Sequence, residues 1–242
     1  MEPLRALTPQ TRQKFTAVGV AAAGLLLAAC SGPLSTLDPA GPSAGAIAEL
    51  WWVMLIGASL LFAGVMGLLF WTFVKPGGGA TVPPKFWLIG GGLVLPAVVL
   101  MPLLGYALYA GERLLAHPGA DNVYRVDAQA RQWQWAFSYP DADGGRRMSV
   151  NIMHIPAGRP VDVRVTSSDV IHSFWVPRLG GKIDAIPGHV NVIRLSASRP
   201  GTYHGVSAEF SGAGYTDMQF TVEAHPGDSH ADQLRRLTQE TP

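Results

Sequence analysis

Two stretches of this chain, Leu50 to Val74 and Phe86 to Gly111, run for 25 and 26 residues without a charged side chain. As helices each would reach roughly 37–39 Å, enough to cross a hydrocarbon core of about 30 Å with some tilt. A helix on a soluble core keeps charge on its outer face, and these have none to place there. Trp51, Trp52 and Trp71 lie near the ends of the first run, and Trp87, Tyr106 and Tyr109 near the ends of the second. Amphipathic rings favour the membrane–water interface, so all six read as anchors. The connector Lys75 to Lys85 has two lysines and no acid, which places it on the cytoplasmic side and both flanks outside. Pro96 and Pro102, with Gly90, Gly91 and Gly92, predict a distortion in the second helix. Two spans without an intramembrane charge form no transport path alone, so a larger membrane partner is expected.

Composition narrows the rest. A net charge of +1 excludes a general nucleic-acid binder. A single cysteine excludes a disulfide framework within the chain and any multi-cysteine metal site. That cysteine follows a signal-like start: Arg5, Arg12 and Lys14, then an uncharged stretch from Phe15 to Ala29. Leu27-Ala28-Ala29-Cys30 resembles the lipobox of bacterial lipoproteins. The resemblance implies that Cys30 is lipidated and that residues 1–29 are removed. The plainer alternative is an ordinary signal, or a first transmembrane helix with an incidental cysteine.

From about Asp121 the texture changes to short β-rich stretches between turn residues. Strands are expected over Val123–Val126, Trp133–Tyr139, Val161–Thr166, Ile171–Val176, Val190–Ala197, Thr202–Val206 and Gln219–Val222. Many short strands with regular turns point to a sandwich or Greek-key barrel. After Ala224 the chain is polar, with a short helix expected over Asp232–Gln239.

Trp133-Gln134-Trp135, Asn151 to Pro160, Asp169 to Gly188 and Gly201 to Phe220 together resemble subunit II of haem-copper terminal oxidases. The resemblance implies a membrane-anchored all-β chain: a two-helix transmembrane hairpin followed by a cupredoxin-like Greek-key β-barrel. The division is then 1–29 signal peptide, 30–112 lipidated N-terminus and hairpin, 113–224 periplasmic domain and 225–242 polar tail. In cytochrome c oxidases of this family the outer domain holds a binuclear copper centre with two bridging thiolates. The matching positions here are His172, Ser207, Ser211, Tyr215 and Met218. A serine hydroxyl is hard and weakly acidic and cannot replace a bridging thiolate, so no binuclear copper is expected. A mononuclear site using His172, Met218 and His204 is a minor alternative. No CxxCH motif is present for a c-type haem.

Loss of the copper ligands resembles the quinol oxidase branch, such as the cytochrome bo-type ubiquinol oxidase. The loop Ser211 to Tyr215 and the Trp-x-Trp run into Phe137, Tyr139 and Pro140 fit that branch. Leu179 to Gly188 and Glu209 look more like the copper-bearing one. The resemblance implies a non-catalytic subunit in the bacterial inner membrane. Its partners would be subunit I and the other subunits, with haems and the remaining copper in subunit I. Membrane lipid surrounds it, quinol is the substrate of the complex, and this chain holds no cofactor of its own. Glu209 is either a polar contact at the subunit interface or one ligand of a magnesium shared with subunit I. Trp133 and Trp135 are read as core or interface packing. The proton-entry acid of many relatives is not carried over, because Ile89 to Gly92 contains none. Two other functions compete: an oxidase fed by cytochrome c directly into subunit I, and a membrane-tethered cupredoxin-like assembly module.

Overall fold

The computed structural model describes residues 31–75, 82–116, 123–140 and 146–237. Cys30 and the signal-like segment lie outside them. Helix α1 spans Pro42–Val74, 33 residues, with proline in its first turn, where the missing N–H would have no helical partner anyway. It is longer than a bilayer core needs. The excess lies at its start, where Ala44 and Ala48 are buried. The segment before it is tied to the outer domain: Ala40 N–H donates to the Arg178 carbonyl at 2.7 Å, and Ser198 N–H to the Ala40 carbonyl at 2.9 Å. Arg178 closes the strap by pairing with Asp38 at 3.0 Å. Beyond it, α1 exposes apolar side chains continuously, as does the second span. Both helices are long and apolar enough to cross a membrane.

The expected distortion in the second span has a definite form. Residues Phe86–Val94 make a π-helical segment that passes into α2, Leu95–Leu114. Pro96 cannot donate to the carbonyl four residues back, and three glycines lie in that preceding turn, so the wider winding falls where the ladder is weakest. Pro102 is carried inside α2.

Ten strands form the outer domain: β1 Tyr124–Arg131, β2 Gln134–Pro140, β3 Arg146–Val150, β4 Ile152–Pro156, β5 Val161–Ser167, β6 His172–Trp175, β7 Lys182–Ala185, β8 Asn191–Leu195, β9 Gly201–Ser207 and β10 Gln219–His225. One sheet has the order β3-β2-β1-β5-β8 and the other β4-β10-β9-β6-β7. They pack as a sandwich of the cupredoxin-like class. Alternation explains the core: Val126, Ala128 and Ala130 of β1 and Val161, Val163 and Val165 of β5 all point inward. β1 pairs with β5 in parallel, and β4 with β10 in parallel, so both sheets depend on long-range pairing.

Strands β3, β4 and β7 were not expected. β3 and β4 meet at Asn151, whose φ of 56° turns the chain from one sheet to the other. Its Oδ1 accepts from Trp135 N–H at 2.8 Å, which fixes the corner. The polar stretch after Ala224 also differs from expectation. β10 continues to His225, and helix α3 covers Gly227–Leu237, starting earlier than Asp232. His230 and Leu234 are buried, so α3 is docked on the domain.

Candidate functional site

The residues singled out from the copper loop gather at one end of the sandwich. β6 begins with His172, and Phe174 of the same strand pairs with Ser207 at the end of β9. Ser207 N–H donates to the Met218 carbonyl at 3.1 Å, bringing the start of β10 alongside. His172, Ser207, Ser211 and Met218 are buried. Tyr215 is not among them. It lies half-buried in a single turn, Tyr215–Asp217, with its ring edge-on to the exposed Phe210.

His172 Nε2 is held 2.9 Å from Asp169 Oδ1, which leaves Nδ1 facing the interior with no hydrogen-bond partner. The Oγ atoms of Ser207 and Ser211 and the Trp135 Nε1 are also buried and unpartnered. The donor set is therefore one imidazole nitrogen, one thioether and two hydroxyls. Hard hydroxyls do not bridge soft copper ions, so these residues do not fit a binuclear copper centre. His204 cannot rescue a mononuclear site. On β9 it alternates with the buried Tyr203, Gly205 and Ser207, and faces outward. Among the described residues, no three His, Cys, Asp or Glu side chains are grouped to hold a metal.

Asp169 organises this end and was missed as a site residue. Its carboxylate accepts from Gln132 N–H at 2.8 Å, Val170 N–H at 2.7 Å and Ser167 Oγ at 3.0 Å, besides His172. Burial alone would raise its pKa, but these bonds outweigh it and hold the carboxyl well below its ordinary value. The signal was available in the Asp-x-x-His spacing of Asp169 to His172.

The two tryptophans separate. Trp135 is fully buried, stacked with Phe137 and packed against Phe174 and Phe220. Trp133 is partly exposed and lies over Gly212 and Gly214, whose φ values of 119° and 100° suit glycine. A Cβ at Gly212 would approach the Trp133 ring to 3.1 Å, so the glycines let this loop lie flat on the indole.

Glu209 is held by an ammonium: Lys182 Nζ lies 3.4 Å from Glu209 and 3.3 Å from Asp184. Burial would lower the Lys182 pKa, but the two carboxylates raise it overall, Asp184 more than Glu209. One carboxylate already paired with lysine is a poor start for an octahedral magnesium site.

Residues 146–225 match the family described as cytochrome c oxidase subunit II, periplasmic domain. The chain is 31% identical over 224 residues to the ubiquinol oxidase subunit 2 of Acetobacter aceti, covering 87% of this chain and 71% of that protein. It is 28% identical over 235 residues to the quinol oxidase subunit 2 of Bacillus cereus, covering 90% and 78%. Among solved structures, the periplasmic domain of cytochrome oxidase subunit II from Bradyrhizobium japonicum is 28% identical. It covers 52% of this chain and 99% of that one, with a TM-score of 0.47.

Proposed function

Since this chain belongs to the subunit II family of haem-copper terminal oxidases and is similar over most of its length to quinol oxidase members, we propose that it serves a proton-translocating quinol oxidase without carrying electrons itself. The observation behind this reading is the pair of buried hydroxyls, Ser207 and Ser211, where a copper centre needs thiolates. Its two helices pack on subunit I, and the sandwich caps that subunit on the periplasmic side of the bacterial inner membrane. Haems and copper reside in subunit I, where quinol electrons reduce oxygen to water. Asp169 and His172 keep a structural role, closing the end of the domain. Cys30 carries the lipid anchor, and residues 1–29 are removed.

Turnover of the purified complex tests this reading. Oxygen consumption is expected with a short-chain ubiquinol and not with reduced cytochrome c. Robust cytochrome c oxidation in the absence of quinol would overturn it.

Glu209, in this reading, is a polar contact made through Lys182. Glu209→Gln should leave the magnesium and manganese content of the complex unchanged. A loss of one bound ion per complex would instead assign Glu209 to a shared metal.

A further inference from the structure

At the end of the sandwich opposite the Ser207–Ser211 loop lies a second cluster of chemistry that the oxidase reading does not use. β1 starts there with Tyr124, β2 ends there with Pro140, β4 ends with Pro156, and α3 closes the side. Together they surround a cavity of about 520 Å³ lined by Tyr124, Arg147, Arg159, His230 and Arg235, with apolar walls from Pro140, Pro156 and Leu234. Among the described residues this lining contains three guanidiniums and no carboxylate.

Two buried polar groups at the cavity lack partners. Neither ring nitrogen of His230 has a hydrogen bond, although the residue is only 6% exposed. The Tyr124 hydroxyl is likewise buried and unpaired. The two rings meet edge to face, with centroids 4.8 Å apart. A buried polar group left unpaired costs about 1–3 kcal/mol, so a partner from outside the chain, water or ligand, is expected at these atoms. The arginines need not be free to contribute, because a guanidinium carries five N–H donors and can keep one partner while addressing another. Arg235, for example, also pairs with Asp232.

The sign of the site follows from its surroundings. A cation would meet three guanidiniums. An oxyanion would meet those charges, the Tyr124 hydroxyl and a His230 N–H. We propose that this cavity binds a small oxyanion, of phosphate or carboxylate type, on Tyr124, Arg147, Arg159, His230 and Arg235. Such an anion reaches it either as a free solute or as an acidic group of a neighbouring subunit. Nothing in this inference depends on the electron donor of the oxidase.

The test uses the full chain in detergent at pH 7.5, with inorganic phosphate, acetate or chloride at equal ionic strength. Phosphate or acetate should raise the unfolding midpoint of the outer domain by about 6 °C over chloride at ten times the dissociation constant. Tyr124→Phe and Arg159→Gln alter a hydroxyl and an exposed side chain. Each variant is compared with its own midpoint in chloride, where Tyr124→Phe should be at least as stable as the parent, and both should lose the anion-dependent rise. The same titration in the assembled complex separates the sources. A rise that persists there marks a site open to free anions, and a rise confined to the isolated chain marks one filled by a subunit's acid. No rise with either anion, or an equal rise in both variants, would overturn the proposal.

Discussion

Trp135→Ala should destabilise the outer domain by about 3–5 kcal/mol, a large share of a typical domain's stability. Trp135 is fully buried, and its ring meets Phe174 and Phe220 at 5.5 and 5.6 Å. Phe174 and Phe220 in turn stack at 4.8 Å. Deleting the indole empties the centre of this group, and rings held on two other strands, β6 and β10, cannot collapse into the space. Chemical unfolding of the full chain, followed through the outer domain, measures the loss. Trp133→Ala is the control: that ring is 38% exposed and should cost far less, with its effect confined to the Ser211–Tyr215 loop. A larger loss for Trp133→Ala than for Trp135→Ala would contradict the packing described. The same cluster explains Gly205. A Cβ there would lie 2.3 Å from two atoms of the Phe220 ring, and the ring is held on its other sides. Gly205→Ala should therefore cost about 3 kcal/mol by overpacking.

Acidification should loosen α3 before the rest of the domain. His154 Nδ1 and His225 Nε2 lie 2.8 Å apart, and the His225 and His230 rings lie 6.0 Å apart. Burial lowers the pKa of all three, and mutual repulsion adds to the effect on His154 and His230; Glu223 opposes it at His154 and His225. His230 falls to about 4, with Arg159 contributing. A histidine in the unfolded chain titrates near 6.5. Above that pH both states are neutral and the contribution is complete. Between about 6.5 and about 4 the unfolded state binds more protons, so stability falls as pH falls. Tyr124, Arg147, Arg159 and Arg235 also border His230. Tyr124, raised to about 12 by burial against the opposing effects of Arg147 and Arg159, stays protonated throughout. Asp169 acts at a lower pH. Its depressed pKa stabilises the fold above the ordinary aspartate range, and that support is lost only as pH falls through and below that range. Amide exchange across Gly227–Leu237 between pH 7.5 and 4.5 reads the first transition. His230→Phe keeps a ring against Tyr124 and removes that residue's titration while His154 and His225 keep theirs, so its exchange profile should be flatter. An unchanged profile would show that α3 is held by other means.

Some of this organisation could be read from neighbours in sequence. Apolar length without charge is a local property, and it marked both spans. The serine substitutions at Ser207 and Ser211 are likewise visible as residue identities, and hard–soft ligand chemistry does the rest. The strands that escaped notice are those whose patterns do not alternate cleanly. β3 is half-exposed throughout and reads as polar, and β7 has only four residues. The tail after Ala224 looked like a solvated segment because α3 has few apolar residues. Leu234 and His230 nevertheless suffice to dock it, once strand ends supply a surface.

The sequence by itself determined which two segments are long and apolar enough to cross a membrane and that Ser207 and Ser211 offer hydroxyls and not thiolates, because both follow from the chemistry of residues counted one by one. Only the tertiary structure decided which tryptophan is core and that Asp169 holds His172. It alone brought Tyr124, His154, His225 and His230 together with the arginines. Those groups come from strands and a helix far apart in the chain, joined by parallel pairings between β1 and β5 and between β4 and β10. Long-range pairing has no local signature, so its consequences appear only in the fold.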